Sequence, residues 1–355
     1  MLSPFGRSPY ILPLMIRLPP HPRSFVPLRR QSLVAPILAP VLALVLMGAC
    51  RSLPAEELRH EIAVEVTSRA VPLNNQDQSI LGAGKLRYRG GLALSADEPH
   101  FGGLSGLIVS ADGSELTAIS DMGYRLQARL GYDRAGDLAS VSDVRMGPLL
   151  APDGARSTGK LRGDAESMAP DGRGGFLVGF EQDHRLWRYP TLAGRPSPVE
   201  APAGLADAPA NGGLEALARL DDGRILALTE ELAVPGGTRG WVGAPGRWQT
   251  LTLAVDGGFA ATAAAVLPGG DVLVLQRRFP PVGARVLRID AAAIKPGAIL
   301  RGDELARLEG TDTVDNMEGI AARRGANGET LIYLLSDDNF SPLQQTLLMM
   351  FELTP

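Results

Sequence analysis

The chain is predicted to be all-β: a propeller of five four-stranded blades, with six blades also compatible with its spacing. Three observations predict this. A unit recurs five times after residue 100, each unit contains a turn of hairpin chemistry, and a lone strand before the first unit matches a strand missing after the last.

The five copies begin Leu104-Ser105-Gly106-Leu107, Ala165-Glu166-Ser167-Met168, Leu214-Glu215-Ala216-Leu217, Ala261-Thr262-Ala263-Ala264 and Met317-Glu318-Gly319-Ile320. Each is followed by a turn and an apolar strand that closes on Asp121, Glu181, Glu230, Arg277 or Asp337. The interval from first polar residue to closing charge is nearly constant in the first four copies, and the last is lengthened around Gly325-Ala326-Asn327-Gly328. Successive copies start at a spacing that suits one four-stranded propeller blade rather than a two-helix repeat. The widest gap, from Ser105 to Glu166, is what keeps a sixth blade open.

Short apolar runs such as Phe176-Leu177-Val178, Ile225-Leu226-Ala227-Leu228 and Val272-Leu273-Val274-Leu275 read as strands. Asp112-Gly113, Asp171-Gly172, Asp222-Gly223, Gly269-Gly270 and Asn327-Gly328 read as the tight turns joining them. A hairpin returns the chain to the edge it left. With the first strand innermost, two rings of polar residues therefore share one mouth of the central channel. The inner ring is Ser105, Glu166, Glu215, Thr262 and Glu318. The outer ring is Asp121, Glu181, Glu230, Arg277 and Asp337, flanked by Glu231, Arg278 and Asp338.

Closure is predicted from the ends. Thr346–Leu353 is a third strand with no fourth after it, and Lys85–Leu94 is a strand with no partner before the first repeat. Pairing the two completes the last blade and removes two open edges. Forty-two Gly, 28 Pro and 45% hydrophobic residues suit such a turn-rich domain with a large core, spanning 81–355.

Residues 1–50 are expected to be an export signal. They hold five Arg and no acidic residue, and Leu33 to Ala49 is uncharged up to Cys50, the single cysteine of the chain. Met47-Gly48-Ala49-Cys50 resembles a bacterial lipobox, which implies lipid attachment at Cys50 and a periplasmic or outer-membrane-anchored protein. Arg29-Arg30 is compatible with twin-arginine export as well as with ordinary secretion. Residues 51–80 are expected to be a polar tether, with a short helix over 55–67. Without the leader, 30 basic residues face 39 acidic ones, a formal charge of −9. Nucleic acid and anionic lipid surfaces are poor partners for such a chain, and no intrachain disulfide can form.

Gly102-Gly103-Leu104-Ser105-Gly106-Leu107 with Ile119-Ser120-Asp121, then Asp315-Asn316-Met317-Glu318-Gly319-Ile320, then Leu335-Ser336-Asp337-Asp338-Asn339-Phe340 resemble the bacterial phytase-like propellers, labelled with esterase-like activity. The resemblance runs in order over 85–355 and implies an exported β-propeller; it assigns no catalytic residue.

The chemistry expected of the rings follows from residue type. Carboxylates from separate blades are hard oxygen ligands suited to Ca²⁺ or another divalent cation, with Glu166, Glu215, Glu318, Asp121, Asp337 and Asp338 as candidate ligands. Arg277, Arg278 and Asn339 are candidate substrate contacts, since a guanidinium forks onto phosphate or carboxylate oxygens. The leading expectation is metal-assisted hydrolysis of a small phosphoester or other anionic ligand. The competing one is a non-catalytic propeller of the cell envelope that binds a ligand or protein at the same mouth. The same acidic residues also suit plain structural work, bonding backbone N–H groups of the next blade. Gly103-Leu104-Ser105-Gly106-Leu107 lacks the final Gly of a nucleophile elbow. His184 is expected on a surface loop, and Trp187, Trp241 and Trp248 are expected to pack blades.

Overall fold

The computed structural model describes residues 57–355, so the leader and Cys50 lie outside the described residues. Five antiparallel sheets form the five blades. Blade 1 runs Leu104–Val109, Glu115–Ser120, Tyr124–Tyr132 and Leu138–Pro148; blade 2 runs Ala165–Pro170, Phe176–Phe180, Arg185–Tyr189 and Ser197–Val199. Blade 3 is Leu214–Arg219, Ile225–Val234, Gly237–Ala244 and Arg247–Leu253; blade 4 is Ala260–Val266, Val272–Arg278, Gly283–Ile289 and Asp303–Glu309. Blade 5 is Asn316–Arg324, Thr330–Asp337, Thr346–Leu353 and, from the other end of the sequence, Leu86–Ala96. The first strand of each blade contacts the first strands of both neighbours, so these five strands wall the channel.

The closing strand pairs as expected, Leu353 opposite Leu86 and Thr346 opposite Leu94. The expected tether is corrected in part. Ile62–Ala63 pairs with Arg145 and Met146 at the outer edge of blade 1, and Val66–Ala70 pairs with Leu92–Ala96 at the outer edge of blade 5. There is no helix in the described part of 55–67. An unpaired outer strand is a template for pairing, and this polar segment covers two of them at once.

The core is layered, because each sheet is apolar on both faces and must pack against a neighbour on each side. Leu107, Leu116 and Leu126 of blade 1 meet Leu335, Leu348 and Met350 of blade 5. Leu273 and Leu275 of blade 4 meet Ile332 and Leu334 of blade 5, and Ile119 of blade 1 meets Val178 and Phe180 of blade 2. Polar bonds also tie neighbouring blades near the channel. Ser167 Oγ donates to the Leu214 carbonyl at 2.6 Å and Thr262 Oγ1 to the Met317 carbonyl at 2.8 Å, each reaching the next blade.

The hairpin turns lie at the far mouth. At Asp112-Gly113 and Asp222-Gly223 the glycine alone takes positive φ, at 79° and 87°. The aspartate caps the turn, accepting from the N–H of Ser114 or Arg224 two residues on.

Candidate functional site

Three kinds of segment meet at the near mouth: the starts of first strands, the ends of second strands, and the connections from each fourth strand to the next blade. Their closeness is fixed by backbone bonds. The N–H of Asp121 donates to the Gly103 carbonyl, that of Glu181 to Asp164, and that of Glu230 to Gly213.

A β-bulge explains how the inner ring is aimed. In every blade the register between first and second strand shifts at this point, between Ser105 and Leu107, opposite Ala165 and Ser167, and between Leu214/Ala216, Ala261/Ala263 and Met317/Gly319. Glu166, Glu215, Thr262 and Glu318 are the extra residues in four blades, and in blade 1 it is Gly106, next to Ser105. A bulge kinks the strand and re-aims the side chain beside it, and here it turns buried strand positions toward the channel. Glu166, Glu215 and Glu318 are all buried, and all three line one cavity of about 870 Å³.

Two cations divide this acidic floor. Arg277 sits between blades, Nη2 2.9 Å from Glu230 Oε1 and Nε 2.8 Å from Glu318 Oε1. Lys160 enters from the connection between blades 1 and 2, its Nζ 2.9 Å from Asp121 Oδ2, 2.7 Å from Asp164 Oδ1 and 3.3 Å from Glu166 Oε1. Ser105 Oγ donates to the other Glu166 oxygen at 2.7 Å. Eight carboxylates thus surround two basic groups: Asp121, Asp164, Glu166, Glu181, Glu215, Glu230, Glu318 and Asp337.

The electrostatic consequence is a set of acids that hold protons too strongly. Burial, reinforced by Glu166, pushes Asp121 up to about 6 against the pull of Lys160. Burial pushes Glu230 to about 7 despite Arg277, and burial with the charge of Asp121 pushes Asp337 to about 7. Glu215, buried and facing Glu166, Glu181, Glu318 and Glu230, is raised well above the carboxylate range, as is Glu318 by burial even with Arg277 beside it. Such acids are neutral in both folded and unfolded chains below about pH 4. Above that the unfolded chain ionises freely while the folded one resists, so stability is lost as pH rises through the folded values. A metal-free protein should therefore melt at a lower temperature at pH 8 than at pH 5, and a flat or rising profile would contradict this assignment.

The two rings divide by role. Glu166, Glu215, Glu318, Glu181, Glu230, Arg277 and Asp337 share the cavity wall, with Arg278 and Asn339 at its edge. Thr262 is spent on the Met317 carbonyl, and Glu181 accepts from the N–H groups of Gly212 and Gly213 in the next blade, the structural work anticipated for ring residues. Asp338 accepts from the N–H groups of Gly103 and Phe340 and from Thr346 Oγ1, so its carboxylate caps loops beside the cavity. Asp337 Oδ1 accepts from Asn339 N at 2.7 Å, and Arg278 pairs with Glu309 at 2.9 Å. His184 Nε2 lies 2.9 Å from the Pro209 carbonyl in a loop, and Trp241 is fully buried.

Sequence reasoning missed Lys160, which lies in the connection between blades 1 and 2, and Asp164, whose counterparts in blades 1 and 3 are Gly103 and Gly213. It also missed the apolar rim: Phe279 and Leu343, 76% and 91% exposed, line the cavity with Val282.

Comparison with known proteins adds a family. A family model described as phytase-like, esterase-like activity of phytase, matches residues 99–340. No curated protein matches. Among solved structures, a candidate gluconolactonase is 14% identical over 82% of this chain and 95% of that one, with a TM-score of 0.43. A luciferin-regenerating enzyme is 10% identical over 72% of this chain and 93% of that one, with a TM-score of 0.38. The β-propeller domain of Cps50 (Swd1) from Myceliophteria thermophila is 12% identical over 82% of this chain and all (100%) of that domain, with a TM-score of 0.37.

Proposed function

The chain belongs to the phytase-like family, and from that premise we propose that the acidic mouth is a divalent-cation-dependent ester hydrolase site, with a small phosphoester as the leading substrate. The observation that carries this reading is the excess of buried or half-buried carboxylates at the mouth: Glu166, Glu181, Glu215, Glu230, Glu318 and Asp337 line one cavity with Lys160, Arg277 and Arg278, and Asp121 and Asp164 adjoin it through Lys160. A structural ring needs no such excess, since every unneutralised buried charge costs stability.

The donor set fits a hard cation. Glu318 Oε2 is buried without a hydrogen-bond partner while Oε1 faces Arg277, and the acids around it offer oxygen donors of the kind Ca²⁺, Mg²⁺ or Mn²⁺ takes. Glu166, Glu215 and Glu318 would close on it from three blades, with Asp337 next to them; among the described residues the carboxylate oxygens already gathered within 4.8 Å of one another are those of Asp121, Asp164 and Glu166. Bound there, the cation would polarise an ester oxygen and acidify water.

The chain's own residues supply the rest. Arg277, held by Glu230 and Glu318, presents a fixed positive charge to an anionic substrate and to charge developing on its oxygens. Glu230 and Asp337 stand on the cavity wall as proton acceptors. Phe279, Val282 and Leu343 rim the opening and cover the non-reacting part of a substrate.

Export and lipid attachment at Cys50 belong to the same proposal and rest on the leader sequence; among the described residues no helix is long and apolar enough to cross a membrane. The test is a turnover screen of the purified protein with phosphate monoesters and carboxylic esters, in Ca²⁺, Mg²⁺ or Mn²⁺ and in EDTA. Turnover that disappears in EDTA supports the hydrolase. Stabilisation by the ion without turnover of any ester would leave a ligand-binding propeller instead.

A further inference from the structure

Resting on that reading of the mouth, we propose that Lys160 is a tethered cation filling an ion position formed by Asp121, Asp164 and Glu166, so that its ammonium and a divalent ion exclude one another there. One carboxylate oxygen from each of the three residues lies within 4.8 Å of the others. Oxygens on opposite sides of a calcium ion, each about 2.3–2.6 Å from it, stand about 5 Å apart. The three oxygens are therefore already gathered to the dimensions of a coordination shell.

All three acids are buried, Asp164 completely. Three buried acids around one point demand positive charge, and Lys160 supplies a single one. Its fit is that of a point charge. Asp164 Oδ1 is 2.7 Å from Nζ but has no partner with hydrogen-bond geometry, so this oxygen is compensated by charge and its lone pairs are not well engaged.

The lysine's attachment differs from that of the acids. Asp121, Asp164 and Glu166 sit at the ends or starts of blade strands, whereas Lys160 begins a four-residue helical turn, Lys160–Gly163, in the connection between blades 1 and 2. Its side chain is 47% exposed, and the next residue, Leu161, is 80% exposed. The ammonium reaches the acids from the solvent side on a segment carrying little of the core, whereas the acids themselves cannot withdraw. Replacing the charge at this point leaves a cage open to a soluble ion.

The experiment is ion counting by equilibrium dialysis with Ca²⁺ and Mn²⁺ on the full chain. Lys160→Met should bind one more ion per chain than wild type. Lys160→Arg keeps the charge and should bind no more than wild type, and Lys160→Met combined with Asp164→Asn should lose the added ion. Equal counts for wild type and folded Lys160→Met overturn the proposal. Should Lys160→Met fail to fold in chelator, Ca²⁺ should restore its cooperative melt but not that of the variant also carrying Asp164→Asn, and failure to restore it is equally fatal. The wild-type count tests the mouth as a cation site, while the difference between variants tests Lys160 alone.

Discussion

Arg277→Met is expected to cost the fold about 3–5 kcal/mol at pH 8, the loss that follows when one partner of a buried ion pair is removed and the other stays. Two acids are left behind rather than one, because Arg277 touches both Glu230 and Glu318. Burial already pushes both of these acids upward with the guanidinium present. Without it their folded values rise further, so the destabilisation grows as pH rises and shrinks as they take up protons toward pH 5. Unfolding in urea at pH 5 and pH 8 checks this. A loss of the same size at both would mean that Arg277 matters through its packed stem and not through its charge.

The pair Glu215→Gln and Glu318→Gln should give the opposite sign in metal-free solution. Removing two acids that resist ionisation in the folded state raises the metal-free melting temperature at pH 8, since the unfolded chain no longer gains by their ionisation. The same change should erase stabilisation by Ca²⁺. On the proposed reading, wild type at an ion concentration of about one hundred times Kd gains about 2.7 kcal/mol, worth about 4–5 °C in a domain of this size. A higher baseline with no response to the ion is thus the expected signature. A variant that still responds fully to Ca²⁺ would move the ion away from the centre of the channel.

The blades were legible because they repeat. A polar residue, a turn and a closing charge at a near-constant interval locate the first two strands of each blade, and an apolar strand such as Thr346–Leu353 with no partner after it asks for one from elsewhere. Ring membership followed from hairpin geometry alone, which is why Glu166, Glu215 and Glu318 could be placed around one channel before any side chain was seen. The bulges were not legible. They need an extra residue in one strand, and neither Leu214-Glu215-Ala216 nor Met317-Glu318-Gly319 signals one. Lys160 and Asp164 were missed for different reasons: Lys160 lies in a connection that the repeat does not cover, and Asp164 stands where blades 1 and 3 have Gly103 and Gly213, so no acidic column marks it. The charged stretch around Glu57–Glu61 favours a helix locally, but the residues after it, Ile62–Ala63 and Val66–Ala70, pair as strands with the edges of blades 1 and 5, and tertiary pairing outweighs weak local preference.

The blade that closes the ring has a consequence for how the molecule comes into being. Leu86–Ala96 leaves the ribosome before all four complete blades, and its partner Thr346–Leu353 leaves after them. Through the synthesis of the four complete blades that lie between them, this strand has no companion on its inner side and remains an adhesive edge. Such long-range pairing makes for slow folding, and it makes the arrival of Thr346–Leu353 the event that joins the circle. A nascent chain halted anywhere before Thr346 would be an open arc with two sticky ends, recognisable to a chaperone or protease by that exposed edge rather than by any fault in the blades already built.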